Sequence, residues 1–119
     1  MNRTDPPPIY TVLTELVGWT LGRTADIPKA QRFTFGQRLD GLTLDTLMLA
    51  VRALYSERSQ KRPLLIELNL NLEQLRVLWR LVHAQDWISQ QQLFFVNQKL
   101  DEIGRMTGGW IKSLDGARR

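Results

Sequence analysis

The apolar residues of this chain recur three and four positions apart in four separate stretches. This spacing is typical of helices with one apolar face, and it predicts four helices, over residues 8–25, 30–58, 63–85 and 89–114. The four sets are Ile9, Val12, Leu13, Leu16, Val17 and Leu21; Phe35, Leu39, Leu42, Leu49 and Ala53; Leu65, Leu68, Leu72, Leu75, Trp79 and Val82; and Leu93, Val96, Leu100, Ile103, Thr107, Trp110 and Leu114. No alternating pattern long enough for a strand appears, so we expect an all-α protein.

The fourth predicted helix carries three interior glycines, Gly104, Gly108 and Gly109. Each glycine costs about 1 kcal/mol relative to alanine, so the helix gives up roughly 3 kcal/mol. Its apolar spacing nevertheless continues across all three, which predicts one unbroken helix. We expect the glycines to let another backbone, or a bulky side chain such as Trp110 of a neighbour, approach closely.

Three prolines and one serine mark the predicted helix boundaries. Pro8 follows a short polar leader and stands at the first turn of the first helix. Pro28 ends that helix, because the residue before a proline avoids helical backbone angles. Pro63 follows a polar segment and is predicted to open the third helix. Ser89 is predicted to cap the fourth helix, after a turn at residues 86–89.

Short connections between four helices predict a single domain, residues 1–119, folded as an antiparallel up-and-down four-helix bundle. The third helix also carries a second apolar stripe, which consists of Leu70, Val77, Leu78 and Leu81. The second helix has a similarly broad apolar face. A lone bundle would leave this surface in water, so we expect a homo-oligomer.

The chain is basic, with 16 lysines and arginines against 12 acidic residues and a net charge of +4. Most of these cations are arginines, which can bind phosphate or carboxylate through paired hydrogen bonds. This composition favours a nucleic acid or an acidic partner, although many basic domains merely dissolve well. The sequence has no cysteine, no apolar leader and no apolar run long enough to cross a bilayer. We expect a soluble, cytoplasmic protein without a membrane partner.

No set of residues in the sequence predicts catalysis. His83 is the single histidine, and there is neither a glycine loop for phosphate nor a Glu-x-x-His pair for a metal. Asp101 and Glu102 are adjacent on a helix, so their side chains diverge by about 100°. We expect a protein that is not an enzyme and that uses neither a cofactor nor a metal.

Arg76, Arg80 and His83 share one face of the third helix, because they are four and three positions apart. A row of guanidinium groups can follow a phosphate backbone, and this face of the helix carries no acid after Glu73. The alternative is an intrahelical pair of Glu73 with Arg76, worth a few tenths of a kcal/mol, and a solvated Arg80. The spacing alone does not separate these two interpretations.

A second basic group surrounds the first connection and includes Arg32 and Arg38. Phe33 and Phe35 lie among these arginines, where aromatic rings can stack on exposed bases. The simpler interpretation, which we favour on sequence grounds, is that both phenylalanines close the end of the bundle. On the fourth helix, Arg105 and Lys112 lie seven positions apart and share a face. Their spacing makes them further candidates for binding a polyanion.

Three segments occur in the order found in a known family. They are Gln31-Arg32-Phe33-Thr34-Phe35-Gly36-Gln37-Arg38, Leu75-Arg76-x-Leu78-Trp79-Arg80-Leu81 and Asp101-Glu102-Ile103-Gly104-Arg105-Met106-Thr107-Gly108-Gly109-Trp110-Ile111. The chain resembles the Avd family, the accessory variability proteins of diversity-generating retroelements, over residues 9–114. It is also similar to four-helix-bundle proteins encoded within ribosomal-RNA intervening sequences.

The resemblance implies a pentameric barrel with a basic surface that binds RNA and DNA. It also implies association with the reverse transcriptase of the retroelement, which copies a template RNA with errors at adenines during mutagenic retrohoming. By resemblance, Arg76 and Arg80 take the nucleic-acid or polymerase contact role, whereas Gly104 and Arg105 take a packing role. Trp79 and Trp110 are expected to pack as well. A relative of the intervening-sequence type, without a polymerase partner, remains the alternative.

Overall fold

The computed structural model describes residues 8–116, which form four α-helices. Helix α1 is Pro8–Thr24, α2 is Gln37–Tyr55, α3 is Arg58–Ala84 and α4 is Gln90–Gly116. Each helix packs along the next one in the chain, and α1 closes the ring by packing on α4. The described part of the chain contains no strand. The predicted all-α four-helix architecture is confirmed.

Helix α3 supplies the centre of the core. Its six predicted seam residues are at most 1% exposed; they are Leu65, Leu68, Leu72, Leu75, Trp79 and Val82. The ring of Trp79 meets that of Trp19 nearly edge-on, with 5.1 Å between centroids, and Trp19 lies 5.5 Å from Phe95. These contacts join α3 to α1 and α4. Each large apolar side chain buried in this way stabilises the fold by roughly 1.5–3 kcal/mol.

Helix α4 runs unbroken through its three glycines, as the apolar spacing predicts. Thr107 occupies the seam beside them and is fully buried. Its hydroxyl donates a hydrogen bond to the carbonyl of Ile103 at 2.8 Å, so the buried polar group is satisfied. The seam therefore accepts a threonine where a larger apolar side chain would also fit the pattern.

Only one of the three glycines approaches another part of the described chain. A Cβ atom at Gly104 would lie 3.6 Å from Nη2 of Arg76 and 3.8 Å from Cδ1 of Leu72, which is ordinary van der Waals contact. A Cβ atom at Gly108 or Gly109 would meet nothing within 4 Å, and both residues are exposed. Within one protomer these two glycines leave a bare strip of helical backbone.

The connection between α3 and α4 is held by backbone geometry and a reciprocal cap. Asp86 has a positive φ of 63°, and the N–H groups of Asp86 and Trp87 donate to the carbonyls of His83 and Val82. This arrangement closes the end of α3 as a Schellman motif, with aspartate in the place that glycine usually takes.

The predicted cap at Ser89 is confirmed. The N–H of Gln92 donates to Oγ of Ser89 at 3.1 Å, and the N–H of Ser89 donates to Oε1 of Gln92 at 2.8 Å. Serine followed three residues later by glutamine is a capping box, which satisfies two backbone donors at the start of a helix.

The predicted bounds of the second and third helices are wrong. Residues 30–58 are not one helix: a 3-10 turn, Lys29–Gln31, and a π-helical turn, Arg32–Gly36, precede α2. The helix ends at Tyr55 because Ser56 adopts an extended backbone. Helix α3 then begins five residues before Pro63. A proline so close to a helix start is tolerated because the carbonyl it leaves unbonded, that of Ser59, belongs to an exposed residue.

The prediction that Leu21 lies on the buried face of the first helix is also wrong. Leu21 is 49% exposed, whereas Thr20 is 1% exposed. The buried spacing of α1 continues from Leu16 through Thr20 and Thr24, so Leu21 lies one position away from the core face. The hydroxyl of Thr24 donates to Oδ1 of Asp40 at 2.7 Å and ties the end of α1 to the first turn of α2.

The helices differ in length, so the number of helices that contribute to the core changes along the axis of the bundle. Helices α3 and α4 have 27 residues each, against 17 for α1 and 19 for α2. The main core cluster draws on all four helices. A smaller cluster of Ala53, Leu65 and Leu114 draws on α2, α3 and α4, and none of its described members belongs to α1. One end of the bundle is therefore thinner than the other.

We expect Ser89→Ala to lower the free energy of unfolding by about 1 kcal/mol, since it removes the cap on α4. Urea denaturation followed by circular dichroism measures this change. Gln91→Ala is the matched control, because this exposed first-turn side chain forms no hydrogen bond in the described structure. An equal loss in both variants would contradict the capping role.

Candidate functional site

The described residues include 13 of the 16 lysines and arginines, and these 13 fall into two groups. Seven are bound within the fold: Arg23, Arg32, Arg58, Lys61, Arg62, Arg76 and Lys99. Six are exposed and form no ion pair or side-chain hydrogen bond in the described part of the chain: Lys29, Arg38, Arg52, Arg80, Arg105 and Lys112. The second group is the positive charge that a partner can use.

Three of the bound cations close the carboxyl ends of helices. Arg32 donates to the carbonyls of Ala25 and Ile27 just after α1, at 3.1 Å in each case. Lys61 donates to the carbonyl of Ala53 at 2.6 Å near the end of α2, and Arg58 donates to that of Leu114 at 2.7 Å near the end of α4. Positive side chains stabilise these ends because the last carbonyls of a helix carry partial negative charge.

The structure ties Arg76 into the fold. Its guanidinium group pairs with Glu73 on α3 and, at 3.0 Å, with Oδ1 of Asp101 on α4. The sequence of α3 shows no acid on this face after Glu73, so no second partner for Arg76 was expected. That expectation is wrong, because Asp101 of α4 lies against Arg76. The guanidinium group lies across α4 at Gly104, where a Cβ atom would be in ordinary van der Waals contact with it. Arg76 therefore joins two helices, and its positive charge is already neutralised.

Arg80 and His83 differ from Arg76. Arg80 is exposed and carries no partner among residues 8–116, whereas His83 is half-buried at the end of α3. Of the three residues that share this face, only Arg80 presents a free charge. The ion pair of the alternative interpretation is present, and Arg80 is solvated as that interpretation expects. A phosphate contact by Arg80 stays a prediction.

Arg105 and Lys112 extend the free charge along α4. Arg105 lies one turn from Asp101, and Arg80 lies one turn from Arg76 in the opposite direction. Because Arg76 and Asp101 are in contact, Arg80 and Arg105 flank that pair on the outer side of α3 and α4. They are about 11 Å apart along the axis, and Lys112 lies about 11 Å farther on. We call Arg80, Arg105 and Lys112 the cation row.

The bare backbone at Gly108 lies within the cation row. It is three residues from Arg105 and four from Lys112, so it faces the same way. No side chain of residues 8–116 covers this position. An extended polyanion could therefore pass from Arg105 to Lys112 over bare backbone, whereas between Arg105 and Arg80 it would pass the paired side chains of Arg76 and Asp101.

The second predicted basic group, around the first connection, also contains both bound and free cations. Arg32 is bound to backbone carbonyls, whereas Arg38 is exposed and lines the surface between α2 and α3 beside Leu78. The phenylalanines also differ: Phe35 packs on Trp87, with 5.4 Å between ring centroids, but Phe33 is 79% exposed. The prediction that both rings close the bundle end is wrong for Phe33. Leaving this ring in water forgoes roughly 1.5–3 kcal/mol of burial.

An apolar stripe lies uncovered along the outside of α3. Its members are 46–57% exposed and spaced four, seven and four residues apart; they are Ile66, Leu70, Val77 and Leu81. Leu44 and Met48 add exposed apolar surface on α2. Leu78, which sequence analysis placed in the same stripe, is half-buried against the core. The remaining four residues lie along one exposed side of α3.

Sequence reasoning missed the structural cations near the start of α3. Arg58 and Lys61 cap other helices, and Arg62 pairs with Asp115 on α4. The hydrogen bond from Arg62 to Asp115, together with the charge of that carboxylate, raises the pKa of the guanidinium group. The only sequence signal was their position, directly after the end of one helix and before a proline.

No group of three or more histidine, cysteine or acidic side chains in residues 8–116 is arranged to hold a metal ion. None of the described helices is both long and apolar enough to cross a membrane.

No curated protein and no solved structure matches the chain. The model of one family, described as bAvd-like, matches residues 9–114, which is nearly the whole chain and includes all four helices apart from a few terminal residues. The resemblance to Avd proteins is thereby confirmed, and the chain belongs to the bAvd-like family.

Proposed function

We propose that this protein is a non-catalytic accessory protein of a diversity-generating retroelement. In this role it binds the template RNA or its cDNA, associates with the reverse transcriptase and supports mutagenic retrohoming. The observation that carries the proposal is the family match over residues 9–114. The cation row and the apolar stripe support it, because each is a surface that the protomer leaves without a partner.

The cation row is the proposed phosphate contact. Its three side chains are exposed and unpaired, whereas Arg76 is held by two carboxylates. Binding a phosphate through Arg76 would first require breaking those ion pairs. We therefore assign the contact to Arg80, Arg105 and Lys112, and assign to Arg76 the positioning of α3 against α4. Arg32 is held by backbone carbonyls and His83 is half-buried, so we assign neither of them to the phosphate contact. Arg38 is exposed and remains available for contact.

The apolar stripe is the proposed contact between protomers. In the family that the chain resembles, protomers form a pentameric barrel, and we propose the same assembly here. A ring would cover the stripe and repeat the cation row five times around its surface. Repeated positive charge strengthens the attraction for a polyanion and its dependence on salt.

Capture of the polymerase tests the proposed function directly. The tagged protein is expressed with the reverse transcriptase encoded beside its gene and purified in 0.5 M salt with nuclease, so that nucleic acid cannot bridge the two. We expect the polymerase to co-purify. An oligomer that binds no polymerase would instead favour an interaction protein of the intervening-sequence type.

We expect Arg80→Ala with Arg105→Ala to weaken nucleic-acid binding and to flatten its salt dependence. Each lost phosphate contact reduces the log–log slope by about 0.7 for single strands and 0.9 for duplex. The double variant should therefore lose roughly 1.4–1.8 from the slope for each protomer engaged. Titrations of a labelled oligonucleotide at several salt concentrations measure it.

Arg52→Ala with Lys29→Ala is the matched control for that experiment. It removes the same net charge from exposed, unpaired positions outside the cation row. If the control lowers the slope as much as the test variant does, net charge rather than the row determines binding. The urea midpoint of each variant shows whether the fold is intact.

We expect Leu70→Glu with Val77→Glu to dissociate the assembly, because two carboxylates would be buried between protomers without partners. Sedimentation velocity at micromolar concentration should show a monomer in place of the oligomer. Leu21→Glu is the control, since Leu21 is exposed to a similar degree on α1. A monomeric wild-type protein would contradict the assembly itself.

A further inference from the structure

Phe33 is held outward by a turn whose other members are fixed. Arg32, just before it, is bound to the carbonyls of Ala25 and Ile27. The hydroxyl of Thr34, just after it, donates to the carbonyl of Gln31 at 3.0 Å, and Phe35 is packed on Trp87. The ring of Phe33 nevertheless remains 79% exposed. The turn therefore presents this ring to solvent from a rigid base.

The ring stands between two surface depressions with different charge. One depression is lined by Phe33 together with Arg38, Gln37 and Leu78, and no acid lines it. The other lies toward α1, where Asp40 takes part in the lining and Arg32 is engaged with backbone carbonyls. An anionic ligand is therefore favoured on the Arg38 side.

The first depression combines three features that a nucleotide requires. It offers an exposed aromatic ring for the base, an unpaired guanidinium group for the phosphate and an amide, that of Gln37, for a base edge. Bases within a duplex already stack on their neighbours, so only an unpaired base can lie flat on such a ring. A partner protein does not need this combination of a free cation and an acid-free wall.

We propose that Phe33 stacks on a base of single-stranded nucleic acid while Arg38 holds the adjoining phosphate. This inference rests on the proposed function and deepens it, because it names the strand state that the protein prefers. The site lies at the end of the bundle near the start of α2, with Leu78 of α3 in its wall, and Phe33 and Arg38 are not members of the cation row. The cation row then holds the backbone of either strand state, and Phe33 selects the unpaired one.

The test compares binding of a labelled 20-nucleotide single strand and a 20-base-pair duplex by fluorescence anisotropy, using the full-length protein. We expect Phe33→Ala to weaken single-strand binding at least about fivefold, in line with the loss of one base–aromatic stack. Duplex binding should change less than twofold. Phe33→Tyr should bind as the wild type does, whereas Phe33→Leu should behave like Phe33→Ala.

Tyr55→Ala is the matched control, because Tyr55 is 83% exposed at the opposite end of α2. We expect no change in single-strand binding from this variant. Circular dichroism and sedimentation confirm that each variant keeps its fold and assembly, which is expected since Phe33 makes no contact with the core.

Several outcomes would overturn the proposal. If Phe33→Leu binds as the wild type does, the contact is apolar rather than stacked. If Phe33→Ala weakens the binding of the single strand and of the duplex equally, the ring does not select unpaired bases. The same conclusion holds if this variant weakens only the capture of the polymerase. Wild-type protein that binds neither nucleic acid would overturn the proposed function too. If every Phe33 variant binds both nucleic acids as the wild type does, the stacking site is refuted and the proposed function is not.

Discussion

The continuous burial of one face of α3 fixes the rest of the molecule. Its seam of leucines, with Trp79 and Val82, meets α2 on one side and α4 on the other, and the indole of Trp79 abuts Trp19 of α1. Because the seam fixes the rotation of α3 about its axis, every other position on the helix has a determined direction. Arg76 is brought against α4, and Leu70 and Val77 are turned away from the core. The α3 members of both candidate surfaces follow from this one constraint.

Positive charge serves two separate purposes in this bundle. Near helix ends and between helices, guanidinium and ammonium groups satisfy carbonyls and carboxylates, as Lys61 and Arg76 do. The other six lysines and arginines in the described part of the chain form no ion pair or side-chain hydrogen bond there. Net charge alone does not distinguish these populations, so a basic composition overstates the surface available to a polyanion. The separation depends on contacts between residues far apart in the chain, such as Arg58 with Leu114.

The sequence predicts the features that depend on local spacing. The unbroken α4 and the cap at Ser89 could be predicted because periodicity and capping are set within a few residues. The early start of α3 and the partner of Arg76 could not, because they rest on α4 side chains and carbonyls that lie 25 or more residues away. Phe33 was misassigned for another reason. Phe33 is an apolar residue close to Phe35, but it lies six positions before Leu39, which is off the core face of a helix, and the π-helical turn Arg32–Gly36 leaves its ring exposed.

The unequal helix lengths affect how the bundle opens. At the thinner end, the described core consists of Ala53, Leu65 and Leu114 with a few partly buried neighbours, while the wider end holds the edge-to-face pair of Trp19 and Trp79. Local opening requires less free energy where fewer apolar contacts are lost. Amide hydrogens near Leu114 should therefore exchange with deuterium ahead of those around Trp79. Partial melting would release the carboxyl-terminal turns of α4 and leave the rest of the protomer folded.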